Sequence, residues 1–333
     1  MKQTNLSIFI PHIGCPHLCS FCDQKSISGA AKAPSAEEVR ELLARQAEHL
    51  NTIGAKAEIA FFGGSFTAIP RGYMTELLET AARAVREYDA YNGIRCSTRP
   101  DCVSDEITHI LREYGVTSVE LGAQSMSDEV LAANDRGHTA DDVRQASELI
   151  KKSGIRLGLQ MMTGLYRDSR GAVLDTAREF IKIAPETVRI YPTVILKGTR
   201  LGELYERGEY TGFGFDETVE LCAELLRMFG RENIAVIRMG LHASAEVERD
   251  RLGGVYHPAF RELCESRIML KDITACLEKL PKGEYTVLTD KRNISRLVGQ
   301  RRGNIAALEQ AGYKIKVGER TGAYLEIIPK TEI

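Results

Sequence analysis

The sequence has 333 residues, of which 43% are apolar, and a formal net charge of −2. This length permits one large hydrophobic core with at most a small satellite, and no stretch approaches the ~18 uncharged residues of a membrane-spanning helix. Three of the eight cysteines are clustered near the start and the others are scattered, which does not favour a disulfide-rich secreted protein. We therefore expect a protein of the reducing cytoplasm with no membrane partner.

The first predicted element is a short apolar strand, Leu6–Ile10, and a loop with three cysteines follows it. Cys15, Cys19 and Cys22 have the spacing C-x3-C-x2-C, and thiolates bind zinc and iron–sulfur clusters. Three thiolates would leave one iron of a 4Fe-4S cluster open, as a catalytic metal requires. We expect that iron to bind the amino and carboxylate groups of S-adenosylmethionine, whose reductive cleavage gives a 5′-deoxyadenosyl radical.

Two other interpretations of this loop stay open. His12 or His17 could complete a structural zinc site, or the cysteines could simply pack in the core. Structural zinc sites usually have a second C-x2-C or H-x3–5-H pair, and the sequence contains neither outside this loop. The spacing therefore favours the iron–sulfur cluster.

Short apolar runs alternate with amphipathic stretches after this loop, a pattern typical of βα units around a parallel sheet. One amphipathic stretch is Ser35–Leu50, in which Ser35 is suited to cap a helix. We predict an α/β fold, a partial (β/α)6 parallel barrel that is an open relative of the eightfold barrel. Its strands would be Leu6–Ile10, Glu58–Phe62, Gly93–Ser97, Ser118–Gly122, Arg156–Met161 and Thr187–Pro192.

In such a barrel the functional residues lie on loops that leave the carboxyl ends of the strands. The loop Gly63-Gly64-Ser65 follows the second strand, and its glycines would let the backbone approach a ligand such as the amino group of the cofactor. Arg99 follows the third strand and suits a ribose or a carboxylate. Gln124 and Ser125 follow the fourth strand, and Arg189, in the sixth, is a further candidate for cofactor binding. Each of these polar groups could instead be a satisfied core residue.

Many short motifs in this order resemble those of one known family. The resemblance covers about residues 5 to 215 and begins with the three cysteines. The sequence looks like the radical SAM domain of the catalytic subunit of Elongator and its bacterial and archaeal relatives. The other matching motifs are Gly63-Gly64-Ser65-Phe66-Thr67, Thr98-Arg99-Pro100-Asp101, Glu120-Leu121-Gly122-Ala123-Gln124-Ser125, Arg136-Gly137-His138-Thr139, Met161-Met162, Tyr191-Pro192-Thr193 and the run from Gly198 to Tyr210.

The resemblance implies a 4Fe-4S enzyme that uses S-adenosylmethionine to modify wobble uridine in tRNA, with acetyl-CoA as the source of a two-carbon unit. An electron donor such as flavodoxin or ferredoxin would be its partner. Lys197 resembles a basic position near the active site and is a catalytic candidate. The residues implied at the cluster are Cys15, Cys19 and Cys22, and those implied around the cofactor are Gly63, Gly64, Ser65, Arg99, Gln124 and Ser125.

The sequence also differs from that family. We expect it to lack the C-terminal acetyltransferase domain and the basic region before the first cysteine. Its first cysteine is closer to the C-x2-C pair, as in the wider radical SAM superfamily. The resemblance therefore implies cluster and cofactor chemistry but not uridine carboxymethylation.

A helix at Asp216–Phe229 and a further strand at Ile234–Leu241 are predicted next. Arg238 and His242, near the end of that strand, would face the barrel mouth as catalytic candidates, although a lone histidine there is more often structural. We predict that the following segment, 253–260, is a loop before a helix. His257, Cys264 and Cys276 could form a second metal site, but their irregular spacing favours buried free thiols.

A predicted hinge at Pro281-Lys282-Gly283 leads into a small α+β module. Between Lys282 and Arg320 there are nine Lys/Arg and four Asp/Glu, a net +5 that leaves −7 elsewhere, so a polyanion would meet this segment first. The basic turn Gly299–Gly303 suits a phosphate backbone and partly resembles the GxxG loop of KH domains. A solvated basic helix face is the alternative. The module would contain one helix, Asn293–Gln310, and the strands Tyr285–Thr289, Tyr313–Val317 and Tyr324–Ile328.

We therefore predict a radical SAM barrel at 1–245, a helical connection at 246–281 and a basic module at 282–333. The predicted protein is a radical SAM enzyme that modifies RNA, in the first place tRNA, and contacts it through the basic module. Two alternatives stay open. One is a radical SAM oxidoreductase that acts on a small molecule, similar to the oxygen-independent coproporphyrinogen oxidases. The other is a non-catalytic RNA-binding protein with a structural metal site.

Overall fold

The computed structural model describes residues 2–10, 13–15, 18–23, 32–242 and 244–330. His12 and His17, the histidines considered as zinc ligands, lie outside these residues. The chain divides into two compact units. The barrel unit contains the chain up to Phe213 together with Phe229–Val255, and the small unit contains Gly214–Met228 together with the chain from Tyr256. The boundaries at 245 and 281 stay predictions.

A parallel sheet of seven strands forms the centre of the barrel unit, in the order β1-β2-β3-β4-β5-β6-β8. This curled sheet with its helices confirms the predicted α/β partial barrel, and the further strand predicted at Ile234–Leu241 is its seventh member. A separate antiparallel pair joins β7 and β9, so Gly253 and Gly254 belong to a strand rather than to the predicted loop. The strands are β1 (Lys2–Ile10), β2 (Ala55–Gly63), β3 (Tyr91–Thr98), β4 (Val116–Gln124), β5 (Arg156–Thr163), β6 (Thr187–Pro192), β7 (Val194–Leu196), β8 (Ala235–Met239) and β9 (Arg251–Gly254).

Amphipathic helices alternate with these strands, and both faces of the central strands are buried. Ser35 caps the first helix as predicted, because its hydroxyl accepts from the Glu38 N–H and the Glu38 carboxylate accepts from the Ser35 N–H. None of the described helices has the length and apolar character to cross a membrane. The helices are α1 (Ala36–Thr52), α2 (Arg71–Glu87), α3 (Asp105–Glu113), α4 (Asp128–Ala133), α5 (Ala140–Lys152), α6 (Arg170–Ile183), α7 (Arg200–Glu206), α8 (Phe215–Arg231) and α9 (Ala245–Asp250). Most of α8 belongs to the small unit.

The small unit has its own sheet and its own hydrophobic core. In the sheet, β10 (Gly283–Thr289) lies between β11 (Tyr313–Glu319), to which it is parallel, and β12 (Glu326–Pro329), to which it is antiparallel. The core packs one side of α10 (Phe260–Leu277) against the sheet and two short helices. The thiol of Cys264 is buried on α10, but Cys276 is exposed, so the prediction of a buried thiol was wrong for Cys276.

The single helix predicted at Asn293–Gln310 was also wrong. The chain forms α11 (Ile294–Val298) and α12 (Gly303–Gln310) with a sharp turn between them. Gly299, Arg301 and Arg302 have φ values of 74°, 50° and 62°, and this left-handed backbone cannot continue an α-helix. Asn304 secures the turn, since its amide donates to the carbonyl oxygens of Ser266 at 3.1 Å and Arg296 at 2.9 Å.

We expect Gly299→Ala to destabilise the small unit by about 1–3 kcal/mol, because its backbone, at φ 74° and ψ 162°, lies in a region that is essentially restricted to glycine. The added Cβ would also lie 2.9 Å from the Cγ atom of Asn304. Gly303→Ala is the matched control, because it lies in a helix with no atom within 4 Å of an added Cβ and should stabilise the unit by about 0.5–1 kcal/mol. Hydrogen exchange of the β10 amides would measure both effects, and equal effects would contradict this account of the turn.

Candidate active site

A cavity of about 130 Å³ lies where the loops after β2, β3 and β4 meet the cysteine loop. Cys15, Cys19 and Cys22 all line it. The other predicted site residues in its wall are Gly63, Gly64, Ser65, Arg99 and Gln124. The fold therefore brings together the groups that the motif order predicted for one site, at the carboxyl edge of the sheet.

The three thiols are close enough to influence one another electrostatically. Burial raises the pKa of Cys22 to about 12, and the negative charges that Cys19 and Cys15 carry as thiolates add to this effect, while Arg136 opposes it. The described side chains include no group of three His, Cys, Asp or Glu placed to hold one metal ion. In a 4Fe-4S cluster each thiolate binds a different iron, so such a cluster does not need that arrangement.

The Gly63-Gly64 pair lets the loop after β2 pass directly against the cysteine loop. Gly63 has a φ of 119°, and a Cβ there would lie 2.5 Å from the carbonyl oxygen of Ile10. A Cβ on Gly64 would press on the carbonyl of Ile13 and lie 3.4 Å from the Cys15 Sγ. Both glycines are therefore required by close approach of two backbones, beside the space that a ligand would use.

Buried polar atoms in the cavity wall lack partners among the residues that the structure describes. These atoms are Nη1 of Arg99, Oε1 of Gln124 and Nε of Arg136. Arg99 is fixed by Asp101, to which its Nε and Nη2 donate at 2.9 and 2.8 Å. Gln124 has a left-handed backbone with a φ of 65°, a strain that is typical of functional positions. Because an unpaired buried polar atom is costly, these atoms suit a polar ligand.

Two serines predicted at the site hold its loops in place. The Ser65 hydroxyl lies 2.7 Å from the Thr98 hydroxyl and accepts from the Arg99 N–H at 3.3 Å, which joins the loops after β2 and β3. Ser125 accepts from the Ser127 N–H at 3.1 Å and does not line the cavity. Ser125 therefore supports the turn after β4.

A second cavity, of about 550 Å³, adjoins the first and extends across the barrel mouth. Cys22, Gln124 and Gln160 belong to the walls of both cavities. The wall of the larger one includes the predicted residues Arg189, Arg238 and His242, and the aromatic rings of Phe9, Phe21, Phe62 and Tyr191. Lys197 is exposed and lines neither cavity, so the fold does not bring it to the site.

A buried ion network lies beneath the larger cavity. Glu120 pairs with Arg95 at 2.7 Å and with Arg189 at 2.5 Å, and Arg95 also pairs with Glu58 at 2.7 Å. Burial alone would raise the pKa of Glu58, but Arg95, followed by Arg156, outweighs this effect and lowers it. The network fixes Arg189 in the cavity wall, where its guanidinium lies 5.3 Å from the centre of the Phe62 ring.

Sequence reasoning did not identify this network, nor did it identify Arg136 as a contact of Cys19. A signal for the network was present, because Glu58, Arg95 and Glu120 interrupt otherwise apolar strands, and a buried charge needs a partner. Arg136 was recognised only as part of a motif. Beside it, His138 is neutral at physiological pH, because burial and then the charge of Arg136 lower its pKa to about 4.

Comparison with known proteins agrees with this geometry. Residues 9–180 match the family model described as the Radical SAM superfamily, and residues 185–269 match the one described as the Radical_SAM C-terminal domain. The chain is 30% identical to the tRNA uridine(34) acetyltransferase of Methanocaldococcus jannaschii, over 53% of this chain and 37% of that protein. It is 29% identical to human Elongator complex protein 3, over 52% of this chain and 35% of that protein. The chain thus spans little more than a third of these two curated relatives.

A solved structure is also similar. The Elp3 protein of Methanocaldococcus infernus, with N-terminal residues 1–46 deleted, superposes with a TM-score of 0.57 at 21% identity, over 74% of this chain and 61% of that one. At this identity the likeness concerns the fold alone. Radical SAM proteins bind a 4Fe-4S cluster and S-adenosylmethionine, and membership of this group supports an enzyme. The first family model covers more than half of the chain and includes all three clustered cysteines, so this protein belongs to the radical SAM superfamily.

Proposed function

We propose that this protein is an enzyme that binds a 4Fe-4S cluster through Cys15, Cys19 and Cys22, cleaves S-adenosylmethionine, and modifies RNA, with tRNA as the substrate. The observation that carries the proposal is the smaller cavity, in which three thiols meet buried polar atoms that have no partner among the described residues. The chain's similarity to a tRNA uridine(34) acetyltransferase supports tRNA as the substrate.

The residues of the smaller cavity fit both the 4Fe-4S cluster and S-adenosylmethionine. The donor set of three thiolates suits a cluster with one open iron. Nη1 of Arg99, which has no partner among the described residues, can donate to a carboxylate. Oε1 of Gln124 can accept from an amino or hydroxyl group. When bound, the cluster and S-adenosylmethionine supply a 5′-deoxyadenosyl radical after reduction by a donor such as flavodoxin or ferredoxin.

The larger cavity is the proposed substrate site. Its aromatic wall would exclude water from the reacting atoms, and Arg189, held by Glu120, would keep one side of the cavity rigid. Arg238 and His242 line the same space, and we propose that they contact the substrate. Lys197 stays a prediction from the sequence and has no role in this proposal.

The turn between α11 and α12 is the proposed contact for the RNA backbone. Arg301 and Arg302 are exposed there, and neither forms an ion pair with any described residue. Consecutive left-handed non-glycine residues are strained, and Asn304 secures them in this conformation. Two adjacent cations on a fixed turn suit phosphate groups.

Replacing both Arg301 and Arg302 by Glu should weaken tRNA binding and flatten its salt dependence. The slope of log K against log salt concentration is negative, and we expect its magnitude to decrease by about 2, one for each lost phosphate contact. Lys316→Glu is the control, because it reverses one exposed charge of the small unit on β11 rather than on the turn. Fluorescence anisotropy with labelled tRNA across a salt series measures both slopes. If wild-type binding shows no salt dependence, the RNA assignment fails and a small-molecule substrate is favoured.

Mass analysis of tRNA nucleosides tests the proposed activity. Cells that lack the protein should lose one modified nucleoside, and the wild-type gene should restore it whereas a Cys19→Ala variant should not. An unchanged nucleoside profile would contradict tRNA modification.

A further inference from the structure

Arg136 is a buried cation next to a proposed cluster ligand. Its side chain is almost completely buried, since the residue is 5% exposed. Its Nη1 donates to the Cys19 Sγ at 3.0 Å, and its Nη2 donates to the carbonyl of Gly122. Its Nε is one of the buried atoms with no partner among the described residues. The guanidinium therefore faces the cysteine loop, and two of its three nitrogens donate hydrogen bonds.

No carboxylate in the described part of the chain forms an ion pair with Arg136. The nearby Asp101 is occupied by Arg99, and Arg99 also donates to the main-chain carbonyl of Arg136. A buried charge without an opposite charge is strongly unfavourable. Among the described residues, the Cys19 sulfur lies within hydrogen-bond distance of Arg136 and would carry negative charge as a cluster ligand, so the proposed cluster would give the guanidinium its opposite charge.

The segment that contains Arg136 also binds the cysteine loop at Ser20, the residue after Cys19. The Ser20 hydroxyl donates to Oδ1 of Asn134 at 2.7 Å, and the Ser20 N–H donates to the Asn134 carbonyl at 3.1 Å. Cys19 and Ser20 are thus fixed by the same segment in different ways. Asn134 uses neutral hydrogen bonds, whereas Arg136 brings a full positive charge to the sulfur.

We propose that Arg136 raises the reduction potential of the cluster by donating a charged hydrogen bond to the Cys19 thiolate. This inference rests on the proposed function, because it requires that Cys19 binds the cluster. One-electron reduction makes the cluster more negative, so a fixed cation beside a ligand sulfur stabilises the reduced state more than the oxidised one. Arg136 is therefore a positioning residue that acts through Cys19 and makes the electron transfer easier.

The test compares anaerobically reconstituted full-length proteins by redox titration followed by electron paramagnetic resonance. In Arg136→Gln, which removes the charge, we expect the ratio of reduced to oxidised cluster at a fixed potential to fall about tenfold, a shift of about −59 mV for one electron. Arg136→Lys keeps the charge and should recover part of that shift. Ser20→Ala removes the neutral hydrogen bond from the Ser20 hydroxyl to Asn134 and keeps the charge of Arg136. It should therefore leave the potential at the wild-type value.

Each outcome is decisive for one claim. An unchanged potential in an iron-loaded Arg136→Gln protein overturns the inference, and so does an equal shift in Ser20→Ala, because the effect would then come from loop geometry. If Arg136→Gln does not retain iron, Arg136→Met, which also removes the charge, takes its place; a shift to lower potential supports the inference and an unchanged or higher potential contradicts it. If the wild-type protein takes up no cluster, it is the proposed function that fails.

Discussion

Replacing Cys15, Cys19 or Cys22 by Ala, one at a time, is expected to abolish cluster binding and cofactor cleavage. The wild-type protein, purified without oxygen, should be brown and contain iron and sulfide. Each variant keeps two of the three proposed thiolate ligands, whereas 4Fe-4S clusters are usually held by four. Each variant should therefore lose its colour and nearly all of its iron. Absorption spectra with iron and sulfide analysis measure this loss.

Cys276→Ala is the control for these three variants. It removes a free thiol that is exposed on α10, and it should keep the colour and the iron content of the wild-type protein. If one of the three cavity cysteines could be removed without loss of iron, that cysteine would not be a ligand. A wild-type protein that is colourless and contains zinc would contradict the cluster altogether.

Glu120→Ala should destabilise the barrel unit by about 3–5 kcal/mol, the usual cost of removing one partner from a buried ion pair. Glu120 is 1% exposed and is shared by Arg95, Arg189 and the amide of Gln160. Its removal leaves two guanidinium groups short of a partner in the barrel interior. Urea unfolding measures the change in free energy of unfolding, and the smaller Glu120→Gln substitution shows whether the charge or the volume matters.

Glu148→Ala provides the comparison for this network. Glu148 and Lys152 form an exposed pair one helical turn apart on α5, and such pairs contribute about 0.3–0.5 kcal/mol. If Glu120→Ala cost no more than Glu148→Ala, the buried network would not stabilise the fold, and Arg189 would have to be fixed in the cavity wall by other contacts.

The elements that the sequence predicted well are those with a local signal. The six strand cores, the cap at Ser35 and the order of the motifs all follow from runs of neighbouring residues, and the structure confirms the fold they indicate. Gly63 and Gly64 also have a local signal, although their closest neighbours are backbone atoms of distant residues, Ile10 at the end of β1 and Ile13 in the cysteine loop.

Contacts between residues far apart in the sequence could not be predicted, because no local sequence pattern indicates them. Arg136 and Cys19 are 117 residues apart, and nothing near either residue indicates that they meet. Whether Ser125 and Lys197 face the cavity depends on how each loop turns after its strand, and they do not line it. The basic turn at Gly299–Gly303 was predicted, but it was placed inside one continuous helix because arginine favours helices. The tertiary contacts of Asn304 instead hold Arg301 and Arg302 in left-handed backbone, which breaks that helix.

The most direct measurement uses the reconstituted, chemically reduced wild-type protein without oxygen and follows S-adenosylmethionine by chromatography. We expect 5′-deoxyadenosine and methionine to accumulate in equal amounts, and neither to form with the Cys19→Ala protein. A wild-type protein that carries its cluster, accepts electrons and still leaves S-adenosylmethionine intact would contradict the account.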